Sequence, residues 1–320
     1  MKRIIFLSDG KASSLKDIKN FSSNTSFFIC EELERRGIEV TREDIAKWPT
    51  LNSKQVINRI KALPKADAIL SCKPLSSSRK FGKLYANDKF MKPLLNKVRS
   101  KKIYTVNGST RKSKKYEHAF AMLETYGDTK ISWAADPKRC MPNQPTDRIS
   151  ILLDHISNKE NYKIYERYFK ALEKVASKGI TLELKILEDP TVHDVNNYRK
   201  PKRISGPWDE VYLPYYRRAH LFCPTHKETL GLSVIESSMC GAQLFLANKS
   251  YINPELLKGL QHFAAHRFDS LESAFIHAIE NIDVAKIRQG VIHLNWQNIV
   301  EVILTTITEH LNLPKLKENK

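Results

Sequence analysis

The sequence contains no run approaching the roughly 18 apolar residues that a membrane-spanning helix requires, although 41% of its 320 residues are apolar, enough for sizeable cores. Its first residues, MKRIIFLSDG, turn polar too early for the apolar region of a signal peptide. A cytoplasmic location is the expectation. The five cysteines, Cys30, Cys72, Cys140, Cys223 and Cys240, are odd in number and include no Cys-x-x-Cys pair. Neither disulfides nor a zinc site is expected, and most of these thiols sit in apolar surroundings where they fill space.

Acidic residues are scarce where basic ones are dense. The formal charge is +18. Between Lys73 and Lys115 there are fourteen Lys or Arg and a single acid, Asp88, with Phe81, Tyr85, Phe90 and Tyr104 interleaved. A polyanionic acceptor and an anionic membrane face are the partners this suits, beside a plain solvated surface.

Periodicity and punctuation then divide the chain. Lys2–Leu7 is a short apolar run ended by Ser8-Asp9-Gly10, a buried first strand. A helix fits Thr25 to Arg36, stopped by Gly37, with Ile38-Glu39-Val40 as the next strand. Ala68–Cys72 and Ile103–Val106 are further strand candidates, each followed by a polar or Gly-containing loop. Three prolines, Pro137, Pro142 and Pro145, interrupt a stretch without periodicity. After it, Ile149–Asp154 starts a second strand–helix series, with a helix over about 159–177, Gly179 as its stop and a strand over Leu182–Leu187. The expected organisation is an α/β protein of two Rossmann-like domains facing each other across a cleft: 1–140, a linker at 141–148, 149–290, and a helix and tail over 291–320. The stretch 290–312 reads as helical.

The segment HKETLGLSVIESSMCGAQLFLAN, His226 to Asn248, carries the most chemistry. A strand over Ala219–Cys223, a loop, a helix from Leu232 to Cys240 closed by Gly241 and a strand at Leu244–Leu246 are expected. Glu228 then precedes a helix N-terminus and Glu236 lies inside the helix. Thr229, Leu230 and Gly231 offer backbone N–H groups at the positive end of the helix dipole, where phosphate is readily held. Carboxylates accept hydrogen bonds from hydroxyls. Two of them flanking a phosphate site suit a nucleotide sugar, with ribose on one side and hexose on the other.

This segment resembles the Glu-x7-Glu donor motif of retaining GT-B glycosyltransferases, family 4-like, the large family that includes sucrose synthase. The likeness is specific over roughly 212–248, through Pro214–Thr225 and Cys240-Gly241-Ala242. It is generic over Cys30–Val40. It implies that Glu228 contacts the transferred sugar and is the catalytic candidate, that Thr229, Leu230 and Gly231 contact sugar and diphosphate, and that Glu236 binds the ribose. The family's Gly-Arg, with a Lys five positions on, is replaced here by Leu153-Asp154-His155-Ile156-Ser157-Asn158-Lys159, which leaves His155 and Lys159 as donor-binding candidates. Gly10 alone stands for the Gly-rich N-terminal loop.

The resemblance implies sugar transfer from a nucleotide-sugar donor, UDP-sugar first, to a hydroxyl with retention of configuration. No Asp-x-Asp motif occurs, so no metal or other cofactor is expected. The acceptor side falls to the basic N-terminal half, where Arg79, Lys80, Arg111, Lys112, Lys114 and Lys115 suit phosphate-backbone contacts. In general layout the chain is similar to phage GT-B enzymes that glycosylate hydroxymethylated bases in DNA, which makes DNA the first acceptor. A lipopolysaccharide or capsule enzyme at an anionic membrane surface is the alternative. A non-catalytic DNA-binding protein on the same scaffold is the third.

Overall fold

Short runs of consecutive apolar residues become buried parallel strands, and the chain builds two sheets from them. The structure is a computed structural model and describes residues 1–8, 14–18, 21–72, 88–107, 116–121, 128–154, 159–187, 192–193, 206–225, 231–248, 252, 257 and 260–312. It divides into two compact units, one comprising Met1–Ser132 with Trp296–Lys320, the other Trp133–Asn295.

In the first unit, strands β1 (Arg3–Ser8), β2 (Glu39–Asp44), β3 (Ala68–Ser71), β4 (Ile103–Asn107), β5 (Glu117–Ala121) and β6 (Thr129–Lys130) form a sheet in the order β2-β1-β3-β4-β5-β6. All neighbours are parallel. Parallel sheets are covered on both faces, and Ile4, Ile5, Phe6 and Leu7 of β1 are accordingly all buried. Helices α1 (Phe21–Arg35), α2 (Ser53–Ala62) and α3 (Asp88–Leu95) belong to this unit. Ile5 and Leu7 share a core with Val56 and Ile60 of α2 and with Phe90 and Leu94 of α3. A capping box starts α2: the Asn52 side chain accepts from the Gln55 N–H and the Gln55 side chain accepts from the Asn52 N–H, each at 2.9 Å.

In the second unit, β7 (Ile149–Leu153), β8 (Leu182–Ile186), β9 (Val192–His193), β10 (Leu221–Cys223), β11 (Gln243–Phe245) and β12 (His262–Phe263) are ordered β12-β11-β10-β7-β8-β9. Only β9 runs antiparallel to its neighbour. The helices are α4 (Lys159–Ala176), α5 (Trp208–Val211), α6 (Leu213–Arg218), α7 (Leu232–Met239), α8 (Leu271–Glu280) and α9 (Val284–Val291). Ile151, Leu153, Leu184 and Ile186 pack with Tyr168 of α4 and Phe275 of α8, whose ring stacks on Phe245 at 4.1 Å.

The proline-bearing stretch before β7 belongs to the second unit. Its prolines keep it out of helix and ladder, so its carbonyls bind side chains instead. Arg288 of α9 donates to the carbonyls of Pro137 at 2.6 Å, of Cys140 and of Met239. Arg217 donates to the Arg139 carbonyl at 2.7 and 3.0 Å, and the Asn143 N–H returns to the Arg217 carbonyl at 2.7 Å.

The single helical stretch expected over 290–312 is two helices. Helix α9 ends at Val291 and α10 spans Trp296–His310. Between them the Asn295 side-chain amide donates to the Ile292 carbonyl at 3.0 Å, and Asn295 forms a β-bridge with Ala135. Asparagine competes with helix through such local bonds. Helix α10 packs in the first unit, where Trp296 stacks on Phe28 at 5.6 Å and Arg36 pairs with Glu301 and donates to the Gln297 carbonyl at 3.0 Å. No helix among the described residues is long and apolar enough to cross a membrane.

Charge follows the division. The first unit has 31 Lys or Arg against 16 Asp or Glu, the second 22 against 19.

Candidate functional site

Each sheet has one place where successive connections leave in opposite directions, and in open α/β sheets ligands bind outside the carboxyl ends of the strands at such a point. In the second unit it lies between β7 and β10. Leu153 is in register with Cys223, and the Asp154 N–H donates to the Cys223 carbonyl at 3.0 Å. The chain leaves β7 toward His155 and Lys159, and leaves β10 toward Glu228. Both sequence-predicted donor segments therefore depart from adjacent strand ends.

Two tyrosines one helical turn apart hold these ends. Tyr165 of α4 donates to the Asp154 carbonyl, and Tyr168 donates to the Pro224 carbonyl at 3.0 Å. Both rings are at most 1% exposed. The carbonyls just beyond β7 and β10 are thereby fixed to one rigid helix.

His155, Glu228, Thr229 and Leu230 lie outside the described residues, as does the side chain of Lys159, the first residue of α4. Gly231 and Glu236 are described. Gly231 precedes α7 with φ +65° and ψ +21°, a left-handed conformation that glycine adopts without a Cβ penalty. Glu236 lies inside α7 and is 3% exposed. A carboxylate so deeply placed contrasts with the surface acid that an amphipathic helix ordinarily carries. Ser237 and Ser238 beside it are buried too.

Sequence reasoning did not single out the residues that surround Glu236. Burial, followed by the charges of Glu236 and Asp154, pushes the Tyr216 phenol well above its usual range. The Cys140 thiol is raised by its hydrogen bond with Cys240, by burial and by the charge of Glu236. Asp154, 1% exposed, and Tyr216 thus share the electrostatic surroundings of Glu236. One sign was legible for Asp154, a carboxylate directly after the apolar run Ile151–Leu153. Tyr216 carried none, because its place depends on how α6 folds over the sheet.

In the first unit the corresponding point lies between β1 and β3, where Leu7 and Ser71 are in register. The chain leaves β1 toward Gly10, β3 toward Arg79 and Lys80, and β4 toward Arg111, Lys112, Lys114 and Lys115. All seven lie outside the described residues.

The chain is similar in structure to AviGT4, a glycosyltransferase involved in avilamycin A biosynthesis. The two structures superpose with a TM-score of 0.59 at 10% identity, over 97% of this chain and 98% of that one. The chain has the GT-B fold. A Listeria monocytogenes protein described as a UDP-N-acetylglucosamine 2-epimerase shares it, with a TM-score of 0.54 at 11% identity over 98% of this chain and 97% of that one. So does the UDP-GlcNAc 2-epimerase of Methanocaldococcus jannaschii, with 0.50 at 13% identity over 97% and 100%. No protein-family model matches the sequence, and no curated protein matches it. In the GT-B fold of this chain, Gly231 and Glu236 stand in the second unit, beside the point where its sheet reverses direction.

Proposed function

We propose that this chain is a nucleotide-sugar-dependent glycosyltransferase, and that it carries its donor on the second unit. The observation that carries the proposal is the left-handed Gly231 leading into α7 with a buried Glu236, beside the β7/β10 ends. In this reading Glu236 accepts from the ribose hydroxyls. Backbone N–H groups around Gly231, with Lys159 and His155, take up the charge of the departing diphosphate. Fixed donors aimed at developing charge stabilise a transition state because they need no reorganisation as the bond breaks. Glu228 faces the transferred sugar, and attack on the same face as departure retains configuration. The anomeric configuration of the product, read by NMR, tests that point, and activity that survives chelator tests the expectation that no metal takes part.

The proposed acceptor is hydroxymethylated DNA. Its support is the excess of basic residues in the first unit, 31 against 16 acidic, since phosphate contacts from Lys and Arg supply most sequence-independent affinity for DNA. Modifying a base within a duplex requires it to be flipped out. Labelled UDP-sugar offered with hydroxymethylated duplex and, separately, with membrane extract tests this choice. Label incorporated only into the extract would replace DNA by a lipid-linked glycan.

A second reading, nucleotide-sugar epimerisation, is favoured by the fold shared with two proteins named as UDP-N-acetylglucosamine 2-epimerases. It requires no acceptor. Incubation with UDP-N-acetylglucosamine alone separates the two, because an epimerase changes the sugar and a transferase without acceptor does not.

A further inference from the structure

In the first sheet, the edge formed by the amino ends of the strands is lined with lysines. Backbone hydrogen bonds tie this edge together: Glu39 N–H to the Lys2 carbonyl at 2.9 Å, Asp67 N–H to Arg3 at 2.9 Å, Arg99 N–H to Ala66 at 3.1 Å and Ser100 N–H to Asp67 at 3.0 Å. Register places Arg3 opposite Glu39, Ile4 opposite Ala68 and Ile69 opposite Ile103. With strands about 4.8 Å apart, Glu39, Arg3, Asp67 and Lys102 follow one another across roughly 14 Å.

Lys2, Lys65, Arg99, Lys101 and Lys102 on this edge are exposed and Lys97 is half-buried. The carboxylates here pair with the two arginines or with backbone rather than with the lysines. Asp67 receives the N–H groups of Lys2 at 2.6 Å and Arg3 at 3.3 Å and the Arg99 guanidinium at 3.2 Å. Burial opposes its ionisation, yet these donors hold its carboxyl below the usual range. Glu39 pairs with Arg3, Asp128 accepts from the Ala119 N–H at 2.8 Å, and Glu117 is buried. Lys97 and Lys101 donate to carbonyls of Lys61 and Leu95. None of the five lysines forms an ion pair among the described residues.

We propose that this row of lysines is a docking surface for the phosphate backbone of a nucleic acid, read without regard to sequence. Lys2 precedes β1, Lys65 precedes β3, and Lys101 and Lys102 precede β4, so cations recur at the starts of successive strands, as charges recur along a phosphodiester chain. The exposed Asn96 and half-buried Ser100 stand between them, the mixture of Lys, Arg, Ser and Asn that contacts phosphates. Among the described residues of the first unit, Val302 is the only large hydrophobic side chain that is exposed. Among the described residues of this unit, a single exposed apolar side chain gives a bilayer little to hold. The surface stands whether or not sugar transfer is the activity, since it uses none of the donor-site residues.

The test is binding of the full chain to a random-sequence DNA duplex, by fluorescence anisotropy over a series of salt concentrations and without nucleotide. In the variant Lys2→Gln, Lys65→Gln, Lys101→Asn and Lys102→Gln, asparagine is used where φ is +52° because it tolerates that region. Affinity should fall at least ~10-fold, and the slope of log K against log salt should shrink by about 0.9 for each phosphate that is no longer neutralised. Lys65→Gln with Lys102→Gln carries the same test, with a smaller loss, should the fourfold variant fail to fold. A control with equal charge change on the second unit, Lys138, Lys163, Lys170 and Lys286 to Gln, should bind as the wild type does. Unchanged DNA binding in the edge variants overturns the proposal. So does a loss confined to phosphatidylserine-containing vesicles. Nucleotide binding, measured separately, reports on the donor site and not on this surface.

Discussion

The Asp154 N–H donates to the Cys223 carbonyl at 3.0 Å, which ties the residue after β7 to the last residue of β10. These two strands begin the outward runs of the second sheet, and in open α/β sheets ligands bind outside the strand ends at such a point. The bond fixes where two separate segments of the sequence start, one bearing His155 and Lys159, the other Glu228 and Gly231. Tyr165 and Tyr168 secure the same ends through neighbouring carbonyls. Rigid anchoring at strand ends, with variable segments beyond them, is how a scaffold positions ligand groups accurately.

Glu236 is the residue on which donor binding should depend most. Removing a charged hydrogen-bond acceptor costs about 1.5–3 kcal/mol, so Glu236→Ala should weaken UDP binding by roughly 10- to 150-fold in titration calorimetry. Glu228→Gln should lower turnover more than affinity. Equal, unaltered kinetics in both variants would remove the donor assignment.

Gly241 should tolerate no side chain. Its φ is +87°, and a Cβ there would stand 2.5 Å from Cγ1 of Val284. Gly241→Ala should destabilise the protein by about 1–3 kcal/mol, measured by chemical denaturation. Adding Val284→Ala should recover the part due to the clash and leave the part due to φ.

The first unit should weaken in acid before its carboxylates titrate. Burial pushes the His118 imidazole down to about 4; His310 and Lys102 push the same way and Asp128 opposes them. His310 is lowered too, by burial and Lys102, against Glu309 and Asp128. A group with a depressed folded pKa and a basic neutral form loses stability as pH falls from its unfolded value, 6.5, toward the folded one. For His118 the slope is at most about 1.4 kcal/mol per pH unit. Denaturation midpoints at a series of pH values should show this decline, and His118→Asn should flatten it. A wild-type midpoint constant from pH 7 to 4.5 would contradict the burial of an uncharged imidazole.

Arg288 is the pin of the segment before β7. Its guanidinium serves three carbonyls, those of Pro137, Cys140 and Met239. Arg288→Met keeps much of the stem and should still cost about 2–4 kcal/mol, because buried acceptors lose their donor. Proteolysis of the folded variant should cut within 137–145, where the wild type resists.

Much of the fold was legible because parallel strands buried on both faces leave unbroken apolar runs. Ile4–Leu7, Ala68–Ser71, Ile103–Val106 and Ile149–Leu153 all read as strands and are strands. Gly37, Gly179 and Gly241 read as helix stops, and all three have positive φ. Strand β5 was not legible, since Glu117 and His118 open it with polar residues that are buried only by their neighbours. The break at Ile292–Asn295 was hidden inside a continuous apolar pattern. Near the site, Gly231 was expected just before a helix and Glu236 within it, and both stand there, whereas the influence of Glu236 on Tyr216 and Cys140 joins segments that are separate in sequence.

Binding of a nucleotide sugar tests the central claim most directly. A ligand bound only by the folded state raises stability by mass action, about 2.7 kcal/mol at a hundredfold excess over Kd. Thermal denaturation with UDP, UDP-glucose or UDP-N-acetylglucosamine should therefore raise the wild-type midpoint by several degrees and that of Glu236→Ala by much less. No shift in the wild type with these or with GDP, ADP, CDP and TDP would contradict the account.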